Sequence, residues 1–297
     1  MLNLPDIFSG RNNILLCGIG GGFDVFCAIP LYEALTKMGN NCFISSYNIQ
    51  MNGEYFGDNG NKLHASTEYE PEELLRVSGY PCILIWKRPP RALEQVYKKI
   101  IHDYNIGHVV MLDGGVDSLM QGNEVRKGTI AEEFTNFAAL QDIPVKKTLV
   151  TMGFGCEREE EISHYRALEN IAALAKKGYF LGTCALTPKS EEFQKYKAAY
   201  EKVKDYPKHK RSHVHPRIIA SIEGQFGEVA VKENTIMQET KSVLLSPLMS
   251  ILWFFDGDGV IKSNVILPTL KNCNTFLEVI MMLRDAPQER DNRVIPY

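Results

Sequence analysis

At 297 residues and 44% hydrophobic content the chain is long enough to bury a large core, which excludes a disordered or fibrous protein. A net charge of -3, from 33 basic against 36 acidic residues, gives no overall electrostatic drive toward nucleic acid or an anionic membrane. No apolar run approaches the roughly 18 to 20 residues that span a bilayer, and the first residues lack a signal peptide's charged start and apolar core, so a cytoplasmic location is expected.

In chain order, apolar runs rich in β-branched residues predict strands over 13–17, 41–47, 82–86, 108–112, 147–152, 179–184 and 251–255. Between them, helix-period patterns cover 24–38, 90–104, 129–141, 160–177, 190–203 and 216–223. Gly39 and Gly178 stand where helix C-caps belong, and Pro71 and Pro90 suit first-turn positions. This alternation predicts one α/β domain over 1–297, a doubly wound, mainly parallel, Rossmann-like sheet with helices on both faces and a C-terminal hairpin. Trp253-Phe254-Phe255 followed by Asp256-Gly257-Asp258-Gly259 reads as a core strand entering that hairpin's turn. Two stretches break the rhythm: a polar Gly- and Asn-rich loop over 50–71, and a basic stretch at Lys208-His209-Lys210-Arg211.

The strand over 13–17 turns into the first helix through Gly18-Ile19-Gly20-Gly21-Gly22-Phe23-Asp24, at the carboxyl edge of the predicted sheet. Backbone amides and the helix dipole favour ligands there, and Gly18, Gly20, Gly21 and Gly22 let a ligand approach closely. Phe23 occupies the position of the third glycine in the dinucleotide fingerprint, which disfavours a conventional hydride-transfer dehydrogenase. Asp24 can cap helix amides, accept from ribose or sugar hydroxyls, or help to hold a divalent cation.

A second acidic turn, Asp113-Gly114-Gly115-Val116-Asp117-Ser118, follows the fourth strand. Its carboxylates can share a metal ion or act as acid and base. Gly-Gly-Val-Asp-Ser resembles the phosphate loop of the ATP pyrophosphatase superfamily over five residues, with Asp113 where a serine usually leads. An acidic strand-end turn is also similar to the calcium-binding aspartates of nucleoside hydrolases, which implies Asp24, Asp113 and Asp117 converging on one ion. Gly155, Glu157 and Thr183 lie at later strand ends of the same edge, and His213 and His215 near the start of a helix can reach a loop-borne ligand. Lys210, Arg211 and Arg217 are candidate phosphate donors. Seven cysteines without a CxxC pair read as reduced core residues, with Cys156 and Cys184 held open because they fall near strand ends.

Taken in order, Gly18 to Val25, Gly114 to Leu119 with Gly122, Gly153 to Cys156, Leu186-Thr187-Pro188, Arg217 to Ser221, Gly224 to Gly227 and Leu245-Ser246-Pro247-Leu248 carry a resemblance. They are similar to the domain-of-unknown-function 1152 family, an uncharacterised group of prokaryotic proteins, over nearly the whole chain. Phe23 departs from the family pattern, which more often has glycine there. The resemblance implies the fold and the site without adding a reaction.

The function expected is hydrolysis or group transfer on a nucleotide-like or glycosylated small molecule, with Asp24, Asp113 and Asp117 as catalytic carboxylates. The ligand would lie against the glycines above, Ser118, Gly155, Glu157, Thr183, His213 and His215, and a divalent cation is the cofactor admitted. Self-association is left open. A non-catalytic nucleotide-binding protein, or an ATP-dependent adenylating enzyme using the turn from Gly114 to Ser118, remains as an alternative.

Overall fold

The computed structural model describes residues 2, 4–47, 71–157, 162–204, 212–232 and 240–291. The Gly/Asn-rich loop up to Pro71 and the basic stretch with Lys210 and Arg211 lie outside them. Nine strands and ten helices follow one another as β1 (Asn13–Gly18), α1 (Ala28–Lys37), β2 (Asn41–Tyr47), α2 (Pro71–Val77), β3 (Cys82–Ile85) and α3 (Pro90–Asp103) among the described residues. The chain continues through β4 (His108–Asp113), α4 (Ala131–Leu140), β5 (Lys146–Met152), α5 (His164–Lys176), β6 (Phe180–Ala185), α6 (Glu191–Val203) and α7 (Val214–Ile222). It ends with β7 (Gly227–Lys232), β8 (Thr240–Leu245), β9 (Ile251–Asp256), α8 (Gly257–Ser263), α9 (Leu267–Leu270) and α10 (Phe276–Asp285).

The main sheet has seven strands in the order β3-β2-β1-β4-β5-β9-β6. Neighbours from β3 through β5 pair in parallel, and β9 runs antiparallel between β5 and β6. Each strand delivers alternate residues to opposite faces, which is why there are two cores. Ile14, Leu16, Val110, Leu112, Val150 and Phe254 face one, with residues of α1, α2, α6 and α7. Leu15, Cys17, Val109, Met111, Leu149 and Phe255 face the other, with residues of α3, α4, α5 and the C-terminal helices. The two-faced, mostly parallel fold read from the alternation is therefore borne out.

The antiparallel hairpin is also present, formed by β7 and β8. Its location needs correction. Asp256-Gly257 is not a hairpin turn: the Asp256 side chain accepts from the Gly259 amide at 2.6 Å and starts α8. An aspartate before Gly-x-Gly satisfies the signature of a helix N-cap as well as that of a tight turn, and here the cap prevails. Gly39 and Gly178 close α1 and α5 with left-handed φ of 89° and 77°. Among the described residues no helix is long and apolar enough to cross a membrane.

Strand order reverses direction between β1 and β4. The chain leaves β1 toward β2 on one side, and leaves β4 toward β5 on the other. Carboxyl ends of neighbouring strands that diverge in this way leave a crevice, the usual ligand position in open α/β sheets.

Candidate functional site

Both acidic turns open at that crevice. The Ile19 amide bonds Leu112 O at 3.0 Å, holding the turn after β1 against the end of β4. Asn136 on α4 donates to Ile19 O at 3.0 Å from the other side. Gly21 and Gly22 take φ of 82° and 56°, a left-handed pair that turns the chain into the short 3-10 segment Gly22–Cys27. Phe23, where the sequence departs from the glycine pattern, packs its ring on Phe26 at 5.4 Å. Its carbonyl accepts from His215 Nε2 at 2.8 Å.

The turns bring carboxylates together. Ligand-capable oxygens of Asp24, Asp113 and Glu133 lie within 4.8 Å of one another, as do those of Asp113, Asp117 and Glu157. Asp113 belongs to both triads. The single ion shared by Asp24, Asp113 and Asp117 that the sequence suggested thus becomes two overlapping sets, each completed by a glutamate.

The glycines take a different part from the one expected of a phosphate cradle. A β-carbon on Gly20 would strike Asp24 Oδ2 and Glu133 Oε1, and one on Gly114 would come within 2.6 Å of Asp24 Oδ1. One on Gly115 would collide with the whole Glu157 carboxylate. These positions are glycine because acid side chains pass over them. The amides are engaged too: Val116 N donates to Glu157 Oε2 at 2.9 Å, and Ser118 donates to Asp113 Oδ2 through both its amide, at 3.3 Å, and its hydroxyl. Amides at Val116 and Ser118 that a phosphate loop would offer to ATP are directed to carboxylates, so the adenylating alternative gains no support.

Burial sets the electrostatics. Asp113, Asp117, Glu133 and Glu157 are all buried, while Asp24 is half-buried. The Glu133 carboxyl is pushed well above the ordinary carboxylate range, first by desolvation and then by the charges of Asp117, Asp113, Glu132 and Asp24. The neighbouring thiols follow. Cys27 rises well above its usual range by burial and by Asp24, Asp113 and Glu157, and Cys156 by burial and Glu157. Both are protonated at neutral pH, the reverse of an activated nucleophile. Burial likewise pushes Cys184 up to about 12.

Other expected site residues lie elsewhere or act differently. His215 is fully buried; with Nε2 donating to Phe23, its Nδ1 accepts from the Tyr196 hydroxyl, and burial holds it neutral with a pKa of about 4. It touches the glycine turn through the backbone. His213 stands at the N-cap of α7. Arg217, on the same helix, is buried and donates to Cys156 O. Gly155 takes φ of 91° in the turn after β5, with His164 and Met249 atoms 3.9 Å from where its β-carbon would stand. Thr183 lines a different cavity of about 520 Å³ with Leu2, Thr187, Lys189 and Ser190. A second cavity, of about 500 Å³, lies among Gly122, Ile266, Met281 and Pro287.

The residue that sequence reasoning missed is Glu133. It reads as one of two acids at a helix start, where the dipole alone explains them. The available signal was periodicity: Glu133, Phe137 and Leu140 stand at i, i+4 and i+7, which places the acid on the apolar stripe of α4. Its neighbour Glu132 pairs with Lys87 instead.

The family model described as "Protein of unknown function (DUF1152)" matches residues 72–287. That span includes Asp113, Asp117, Glu133 and Glu157, while the glycine turn with Asp24 precedes it. No curated protein and no solved structure matches the chain.

Proposed function

This chain belongs to the DUF1152 family, and on that premise we propose that it is an enzyme that hydrolyses, or transfers a group from, a nucleotide-like or glycosylated small molecule. The reaction takes place at the carboxylate cluster with the help of a divalent cation. The observation that carries this reading is the convergence of five acidic side chains, from the turns after β1, β4 and β5 and from α4, on the crevice where strand order reverses.

Ribose and sugar hydroxyls are donors, and carboxylates are acceptors that bind them. Asp24, the half-buried member of the cluster, would meet the substrate first. Asp113 and Asp117, buried beneath it, would orient the cation and the attacking water or acceptor hydroxyl. Gly21 and Gly22 would border the ligand, with Ser118 acting through Asp113.

The test couples ligand discovery to turnover. Nucleotides, NAD and nucleoside sugars are screened with magnesium or manganese for products, and Asp117→Asn is then assayed on whatever substrate emerges. The expected loss is about 10²-fold or more in kcat. Unchanged turnover in Asp117→Asn would remove the proposed role, and tight binding without turnover in the wild type would favour a non-catalytic binding protein.

A further inference from the structure

We propose that the cluster is a two-ion centre: Asp24, Asp113 and Glu133 hold one divalent cation, Asp113, Asp117 and Glu157 hold a second, and Asp113 bridges them. This rests on the functional reading above and extends it, because that reading needs one ion and says nothing of a second.

Glu133 points most directly to a ligand. The residue is 2% exposed, and its Oε2 is fully buried with no hydrogen-bond partner. An unbonded carboxylate oxygen in such a place is costly unless something else satisfies it. Glu124, by contrast, is a buried glutamate that the protein itself satisfies. It is 0% exposed, yet it accepts from the amides of Gln121 and Gly122, each at 2.9 Å, from Asn170 Nδ2 at 3.0 Å and from Arg290 at 3.1 Å. Glu133 faces Asp24 and Asp113 instead, and a cation among the three satisfies all of them.

Asp113 offers one oxygen, Oδ1, for the two ions to share. Two bonds from Ser118 converge on Oδ2 and fix the carboxylate plane, the outer support that orients a metal-binding side chain. The bond from Val116 N does the same for Glu157. Gly20, Gly114 and Gly115 leave the space in which the acids come within reach of one another. The donors are all oxygen, which selects magnesium, manganese or calcium over thiophilic metals. Two such ions about 3.5–4 Å apart form the clamp that receives phosphate oxygens on both sides of an in-line displacement. The substrate class narrows accordingly to phosphate esters or anhydrides of nucleotide-like molecules.

The experiment uses the full chain, stripped with chelator and equilibrated with Mn²⁺ alone. Bound metal is counted by elemental analysis, and electron paramagnetic resonance reports whether the ions are coupled. The expected result is two Mn²⁺ per chain with an exchange-coupled spectrum. Glu133→Gln and Glu157→Gln each weaken one site at least tenfold and abolish the coupling, while Asp258→Asn, outside the cluster, changes neither. Circular dichroism of the metal-free variants checks that they fold, and if one does not, the wild-type count with the other variant decides. One ion per chain overturns the bridged pair but leaves the one-ion functional reading standing. No bound ion overturns both, and two uncoupled ions indifferent to Glu133→Gln overturn the assignment made here.

Discussion

Where a carboxylate lies over a glycine there is no space for a β-carbon, and this gives the acidic turns a testable rigidity. Gly115→Ala places a methyl group in the volume of the Glu157 carboxylate, which must move and release the Val116 amide. The expected cost is about 1–3 kcal/mol in denaturant unfolding, the usual range for overpacking a closed site. A change within about 0.5 kcal/mol, ordinary for open surface positions, would mean that Glu157 does not occupy that place. The sequence made the two aspartates of the second turn conspicuous because the short apolar run of β4 leads directly into them. It hid Glu133, since an acid in the first turn of a helix has a sufficient local explanation in the dipole. It also suggested that the glycines were there for a ligand, because what passes over a glycine comes from residues distant in sequence: Glu133 lies far along the chain from Gly20, and Glu157 from Gly115.

Elements hold the turns in place through pairs that have consequences of their own. In β4, His108 is buried, stacks on Phe8 at 5.3 Å and bonds Thr148 of β5 at 2.8 Å. Burial, assisted by Lys146, lowers its pKa from 6.5 to about 3. Below pH 6.5 the unfolded chain takes up a proton that the folded chain refuses until about pH 3, so the stabilisation is complete above 6.5 and is lost as pH falls across that window. One such site contributes a slope of at most about 1.4 kcal/mol per pH unit. Melting temperature measured between pH 4.5 and 7 should therefore fall less steeply with acid in His108→Gln than in the wild type; parallel curves would contradict the buried neutral imidazole. At the end of β9, Asp256→Ala removes the cap of α8 and should cost about 1 kcal/mol. A neutral effect there would restore the hairpin reading. That reading failed because Asp-Gly is shared by tight turns and helix starts, and only the main-chain path after Gly259 tells them apart. Strands were legible because apolar runs of five or six residues have few alternatives in a sheet covered on both faces.

On the scale of the whole molecule, the decisive feature is the insertion of β9 between β5 and β6. Phe254 and Phe255 of that late strand enter the two opposite cores, so the C-terminal region completes both layers. We propose on this ground that the chain unfolds as one cooperative unit. Far-UV circular dichroism and tryptophan fluorescence should give coincident transitions, since Trp253 on β9 and Trp86 beside β3 stand near opposite edges of the sheet. Separated transitions would divide the chain. Alternation of strands and helices foretold the layers, but not the position of β9, because strand order is fixed by packing between segments and leaves no mark on local pattern. The same order creates the crevice in which the acids meet. The most direct test of that site is the melting temperature of chelator-stripped protein with and without millimolar Mg²⁺ or Mn²⁺, compared with Asp113→Asn. Saturation at about a hundred times Kd stabilises by about 2.7 kcal/mol, which for a chain of this size predicts a rise of about 5 °C in the wild type and little or none in the variant. No rise in the wild type, or the same rise in Asp113→Asn, would contradict a cation-holding centre at the cluster.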